Sequence, residues 1–251
     1  MSILPGHLSF FLLLSLIPII LLMGIIAKTF SLSFDHLIEF VKLSLPASTS
    51  KLILPLFSGK ALSINITFLV FSAIYLASRG TKAIINAAGA IYNVNRSSYK
   101  DVIKSIVITF LLICLFIFII FILIIGDKLL ELVNNIKGFE LITKNLINIY
   151  NFSKWPISLF VIFFVVKLIY TLTPNKRISS KSVTKGSIFT TTLWIILTFV
   201  YSYYITNFTL YNSYYGSASN LIIFMLWVYL ISYIFVLGMI INAIEDKNEE
   251  Y

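Results

Sequence analysis

The side chains able to do chemistry are few and far apart. The chain has two histidines, His7 and His36, one cysteine, Cys114, and ten acidic residues, none inside a long apolar run. A metal site needs ligands grouped at helical or loop spacing. A hydrolase needs a base together with a nucleophile or a metal in one cavity. Neither histidine has such a partner in sequence, and the HExxH, GxSxG and P-loop patterns are absent. No catalytic residue, metal ligand or cofactor-binding residue is assigned, and the expectation is a protein that is not an enzyme. A proton-coupled pump is also disfavoured, because such pumps relay through intramembrane Asp, Glu or His. Cys114 sits in an apolar run and reads as a small hydrophobe.

The polar residues that do lie within or beside apolar runs need a reason to be there. Lys167 is the one charged residue inside such a run. It either snorkels to the interface, being seven residues and so about 10 Å from Pro174, or it lines a cavity. Thr191, Thr198, Ser202, Thr206 and Thr209 recur at intervals of seven, four, four and three, which is one helical face. That face serves either interhelical hydrogen bonding or the wall of a polar cavity. Asn207 carries two amide donors and an acceptor, so it fixes which side should be inward. With Thr198, Ser202 and Thr206 it is expected to face the interior, with Lys167 near one end of the same space. Arg79 ends another apolar run. It is either a positive anchor, which Lys could replace, or a planar fork gripping a helix end, phosphate or carboxylate, which Lys could not.

The elements that must position these residues are membrane helices. Of 251 residues, 59% are hydrophobic and 12% charged, with mean hydropathy +0.97. An ordinary soluble domain is about half apolar and about a quarter charged. A helix crosses the hydrocarbon with about 20 apolar residues, and six stretches come close: 8–27, 62–77, 105–125, 155–172, 188–211 and 218–244. The fold class is therefore all-α, a polytopic membrane protein forming one domain over 1–251, with six transmembrane helices. The first stretch, lacking a basic leader and a cleavage site, reads as an uncleaved helix kinked at Pro18. Ser78-Arg79-Gly80 is expected to break the second, followed by a short, tightly packed helix carrying Ala83, Ala87 and Ala90 on one face.

The linkers 28–60 and 127–154 carry amphipathic patterns, among them Phe34, Leu37, Ile38, Val41 and Leu45 in the first. They read as interfacial helices capping the bundle. Lys and Arg are denser in 79–104 and 174–185 than in those two linkers, which places both termini in the cytoplasm. The net charge of +9 then fits anionic headgroups at the cytoplasmic face rather than nucleic acid.

An ordered set of residues carries a family resemblance. It comprises Ser15-Leu16-Ile17-Pro18, Ser78-Arg79-Gly80 with Tyr92, then Gly186, Phe189, Trp194 and Ser202-Tyr203-Tyr204. Asn207-Phe208, Tyr211, Tyr215-Gly216-Ser217, Leu226-Trp227-Val228-Tyr229, Leu237-Gly238, Asn242-Ala243 and Glu245 complete it. Over nearly the whole chain it resembles the YihY/virulence factor BrkB family of bacterial inner-membrane proteins, formerly called the ribonuclease BN family. It departs at Gly89, where the family commonly has Asn, and at Ile240, where it has an acid. The resemblance implies a six-helix inner-membrane protein and adds Asn242 to the candidate polar residues. Two functions remain in view. One is a transporter of a lipid-like or anionic solute, and the other is a non-transporting envelope scaffold. A membrane ribonuclease is rejected.

Overall fold

The computed structural model describes residues 4–30, 66–94, 99–115, 156–157, 159–207 and 217–249. They form six long helices and, among the described residues, no strand. These are α1 (Leu4–Phe30), α2 (Ile66–Ile91), α3 (99–115), α4 (Leu159–Leu172), α5 (Thr184–Asn207) and α6 (Ser217–Glu249). Thr184–Tyr204 in α5 and Ile222–Glu249 in α6 are each long and apolar enough to cross a membrane. Pro18 lies inside α1 and is accommodated without ending the helix. The amphipathic patterns of the two long linkers, the residues 116–125, and Thr209 and Tyr211 lie outside the described residues.

The break expected at Ser78-Arg79-Gly80 does not occur, because α2 runs unbroken from Ile66 to Ile91. Gly80 is a contact rather than a breaker. A Cβ there would come 2.8 Å from Ser15 Oγ, so its hydrogen lets α1 and α2 approach closely. The tight packing expected of Ala83 and Ala87 is present, both being buried, but on the second half of one long helix. That helix ends one turn later. Asn93 takes φ 52°, and the Val94 N–H donates to the Gly89 carbonyl, a Schellman-type stop with Asn in the left-handed position.

α1 packs along α2, α5 along α6, and α6 also meets α1 and α2. The α5–α6 crossing is closest at Gly186 and Gly238. A Cβ on Gly238 would overlap Thr190 Oγ1, the Tyr170 hydroxyl and the Gly186 carbonyl. The core collects Leu8 from α1, Ala83, Ala88 and Ile91 from α2, Val166 and Tyr170 from α4, and Phe235, Met239 and Ala243 from α6. These are the start of α1 and the ends of α2, α4 and α6. The described chain therefore begins and ends at the same end of the bundle, called the base below.

Polarity is distributed as in a helical membrane protein. Ser78, Thr81, Ser105, Thr109, Ser187, Thr190, Ser232 and Asn242 are buried. The outside carries Phe71, Val107, Phe110, Phe160 and Phe199, the last 74% exposed. In water such an exterior would be a large apolar patch. In lipid, where apolar surface drives nothing, small and hydroxylated residues are what bring helices together.

Candidate functional site

The base is closed by a polar network. Lys104 Nζ donates to the carbonyls of Thr173 (3.1 Å) and Pro174 (2.8 Å) and to Asn175 Oδ1 (2.8 Å). A cation thus caps the end of α4, where Pro174 stops the helix and carbonyls are left over. Asn175 Nδ2 in turn donates to the buried Asp101, 2.7 Å away. Burial pulls the Lys104 pKa down, and the Asp101 charge opposes that shift. The turn between α4 and α5 is tied to the end of α6 by Lys176–Asp246 (2.8 Å), and the first turn of α5 by Lys185–Glu245 (2.6 Å). The Gly186 N–H donates to Asn242 Oδ1 at 2.7 Å. Tyr170 donates to the Phe235 carbonyl and meets Thr190 Oγ1, both at 2.7 Å. Tyr92 follows α2 and lies against this cluster. Its hydroxyl is buried without a partner among the described residues, and burial, reinforced by Asp246, raises its pKa.

Next to this base lies a half-enclosed cavity of about 330 Å³, to which all six helices contribute. Its walls are mainly Leu12, Ile19, Leu22, Ile84, Leu112, Ile113, Ile169 and Phe235. Five polar side chains reach it, Ser15, Thr81, Thr109, Trp194 and Ser232. Each is already engaged. Thr81 and Thr109 bond each other at 2.7 Å, and Ser15 and Ser232 donate to Leu12 and Val228 carbonyls. Trp194 Nε1 donates to the Ile231 carbonyl at 3.0 Å. Chemically the cavity is a hydrocarbon slot.

The residues singled out in sequence do not gather there. Arg79 is exposed on α2, its Nη2 donating to the Tyr75 hydroxyl at 2.6 Å and its guanidinium 4.9 Å from that ring. Lys167 is half-buried on α4 and sits 5.9 Å from the Phe163 ring. Thr198 and Ser202, expected inward, are exposed. The reason is that α5 is gripped near its start, through Gly186, Ser187, Thr190 and Thr191. Beyond Trp194 its partly covered line is Leu197, Tyr201 and Tyr204, with the Tyr201 ring 5.2 Å from that of Trp227. The side chains of Thr206 and Asn207 lie outside what is described. Asn242 is fully buried and holds the α5–α6 crossing. Sequence reasoning missed Thr81, Thr109, Tyr170 and Ser232. The one available signal was their position as isolated hydroxyls in apolar helices.

A helical bundle with an apolar exterior and a hydroxylated interior defines the class, a membrane protein. The chain belongs to the family described as Virulence factor BrkB, which matches residues 2–251. It is 27% identical over 250 residues to the ribonuclease-like protein YfkH of Bacillus subtilis, covering 98% of this chain and 90% of YfkH. It is also 32% identical over 84 residues to a UPF0761 membrane protein of Pseudoalteromonas translucida, a match spanning 33% of this chain and 28% of that protein. A UPF0761 membrane protein of Idiomarina loihiensis is 30% identical over 105 residues, spanning 41% of this chain and 35% of the relative. No solved structure matches.

Proposed function

We propose that this chain is a multi-pass protein of the bacterial inner membrane, with six spans and both termini cytoplasmic. In this reading it takes up a lipid-like, hydrocarbon-bearing solute and transports it. The observation that carries the proposal is the cavity of about 330 Å³ walled by all six helices. An anionic solute would meet no cation there, since Arg79 and Lys167 lie elsewhere, and only the one hydroxyl hydrogen that the Thr81–Thr109 pair leaves over, Ser15 and Ser232 donating to their own helices. A hydrocarbon chain loses nothing on entering it. The base, where the described chain begins and ends and where Lys104, Lys176, Arg177, Lys181 and Lys185 gather, is the cytoplasmic side.

We propose further that the protein is not an enzyme and needs no cofactor or nucleic-acid partner. Among the described residues no three of His, Cys, Asp and Glu come together, and the walls of the cavity hold no base or nucleophile with a partner. The term "ribonuclease-like" belongs to YfkH.

The test is transfer of a fluorescent acyl lipid between leaflets of proteoliposomes holding the intact chain. Transport should fall about tenfold or more when Ser232→Phe fills the cavity and should persist in Arg79→Lys and Lys167→Gln. Equal transport by wild type and Ser232→Phe would leave the cavity without a transport role and return the scaffold reading.

A further inference from the structure

A second recess lies on the outside of the bundle, apart from the central cavity. It is a groove of about 510 Å³ between α3 and the end of α4, lined by Lys100, Ile103, Lys104, Val107, Ile108, Leu111 and Leu172. Its floor faces outward. Ile103, Val107, Leu111 and Leu172 are exposed, and Tyr99, beside Lys100, is 75% exposed.

Lys100, Ile103, Val107 and Leu111 stand at i, i+3, i+7 and i+11, one face of one helix. From Lys100 to Leu111 that face climbs eleven residues, about 16 Å at the rise of an α-helix. One leaflet contributes about half of the roughly 30 Å hydrocarbon core. The groove thus has the length of one leaflet, with its cations at the base and its aliphatic wall running toward the bilayer midplane. Tyr99 marks the interface at the cationic end, where aromatic rings of amphipathic character settle.

The two cations differ. Lys104 has its three donors turned inward to Thr173, Pro174 and Asn175, so it lends charge to the groove without an open N–H. Lys100 is exposed, and no acceptor of the described residues is bonded to it. Among the described residues it is the donor left to meet an incoming anion.

We propose that this groove is a binding site for one anionic phospholipid of the leaflet at the base, its phosphate on Lys100 and one acyl chain along Ile103, Val107, Leu111 and Leu172. Which leaflet this is depends on the orientation given above, whereas the site itself does not depend on what the central cavity holds. Charge complementarity selects an anionic headgroup over a zwitterionic one. The apolar wall selects a lipid over a free anion.

The test is lipid retention by the purified full chain. Native mass spectrometry counts phosphatidylglycerol and phosphatidylcholine carried through equal exposure to each. Wild type should retain phosphatidylglycerol in preference. Lys100→Gln should lower that retention about fivefold, the equivalent of about 1 kcal/mol for one surface cation facing anionic lipid. Val107→Trp, which fills the exposed groove and leaves the charge in place, should lower it at least as much. Lys181→Gln, an exposed cation in the turn after α4, should change it less than about twofold. Loss in Lys181→Gln equal to that in Lys100→Gln would reduce the effect to general attraction and overturn the site. Retention unchanged in Val107→Trp, or displacement of the lipid by millimolar inorganic phosphate, would overturn the acyl-chain part. These outcomes are read apart from transport, so failure here leaves the cavity untouched.

Discussion

Gly238→Ala adds one methyl group at the close crossing of α5 and α6. That methyl would overlap Thr190 Oγ1, the Tyr170 hydroxyl and the Gly186 carbonyl. The hydroxyls of Tyr170 and Thr190 are bonded to each other, and Tyr170 also donates to the Phe235 carbonyl, so none of the three can yield freely. Forcing a methyl into a close-packed interior costs about 1–3 kcal/mol. Leaving one buried polar group unpaired adds about 1–3 kcal/mol. The better helix propensity of alanine returns about 1 kcal/mol. The net loss is about 1–5 kcal/mol, and for a chain of this size each kcal/mol moves the melting point by about 2–4 °C. The assay is thermal unfolding in detergent micelles, followed by tryptophan fluorescence and size exclusion. Gly6→Ala is the control, since nothing lies within 4 Å of a Cβ there. Gly238→Ala should melt roughly 2–20 °C below wild type, and Gly6→Ala at or slightly above it. A Gly238→Ala protein that melts with wild type would refute the close crossing of α5 and α6.

The remaining predictions concern the base and the outer face of α5. Lys104→Met removes the donors that cap α4 at Thr173, Pro174 and Asn175 and should cost about 1–3 kcal/mol; Lys100→Met should melt like wild type. Tyr92→Phe should be neutral near pH 7, because the hydroxyl has no partner among the described residues to lose. It should also flatten the alkaline side of the stability profile. The folded pKa of Tyr92 is raised above its ordinary 10.0 by burial and then by Asp246, with Tyr170 as the other titratable neighbour. The unfolded chain therefore releases that proton first, and stability present below pH 10.0 is lost as pH rises toward the folded value. Melting curves at neutral and at about pH 11 on both proteins check the sign. Cysteines placed at 198 and 202, with Cys114→Ala, should react with a lipid-soluble maleimide and not with a charged thiosulfonate. Labelling of both positions by the charged reagent would put water on that face.

The features legible in sequence are those that depend on one helix at a time. Apolar runs located α1, α5 and α6 closely, because a span must satisfy its own backbone and shows its length in composition. The small-residue face of Ala83 and Ala87 was legible for the same reason. Arg79-Gly80 misled because a cation beside a glycine looks like the end of a span. In three dimensions Tyr75 holds the guanidinium on the outer face, and Gly80 makes room for Ser15. The cavity and the base could not be read, because they are made of pairs between helices. Thr81 meets Thr109, Lys104 meets Thr173, and Tyr170 meets Phe235, at separations of 28, 69 and 65 residues. The inward placement expected of Thr198 and Ser202 on α5 failed for a related reason, while Thr191 of the same face is buried. The hydroxyl spacing fixed a face but not the partner, and the grip at Gly186–Gly238 turned Thr198 and Ser202 outward.

The central claim is that the cavity between the six helices holds a hydrocarbon chain, and Trp194 on its wall is a built-in reporter. With Trp155→Phe and Trp227→Phe in place, Trp194 fluorescence is read while the intact chain is titrated with a fatty acid brominated along its acyl chain. Saturable quenching is expected, relieved by an unbrominated chain of equal length and abolished by Ser232→Phe. Quenching that rises linearly without saturation, or that survives Ser232→Phe unchanged, would contradict it.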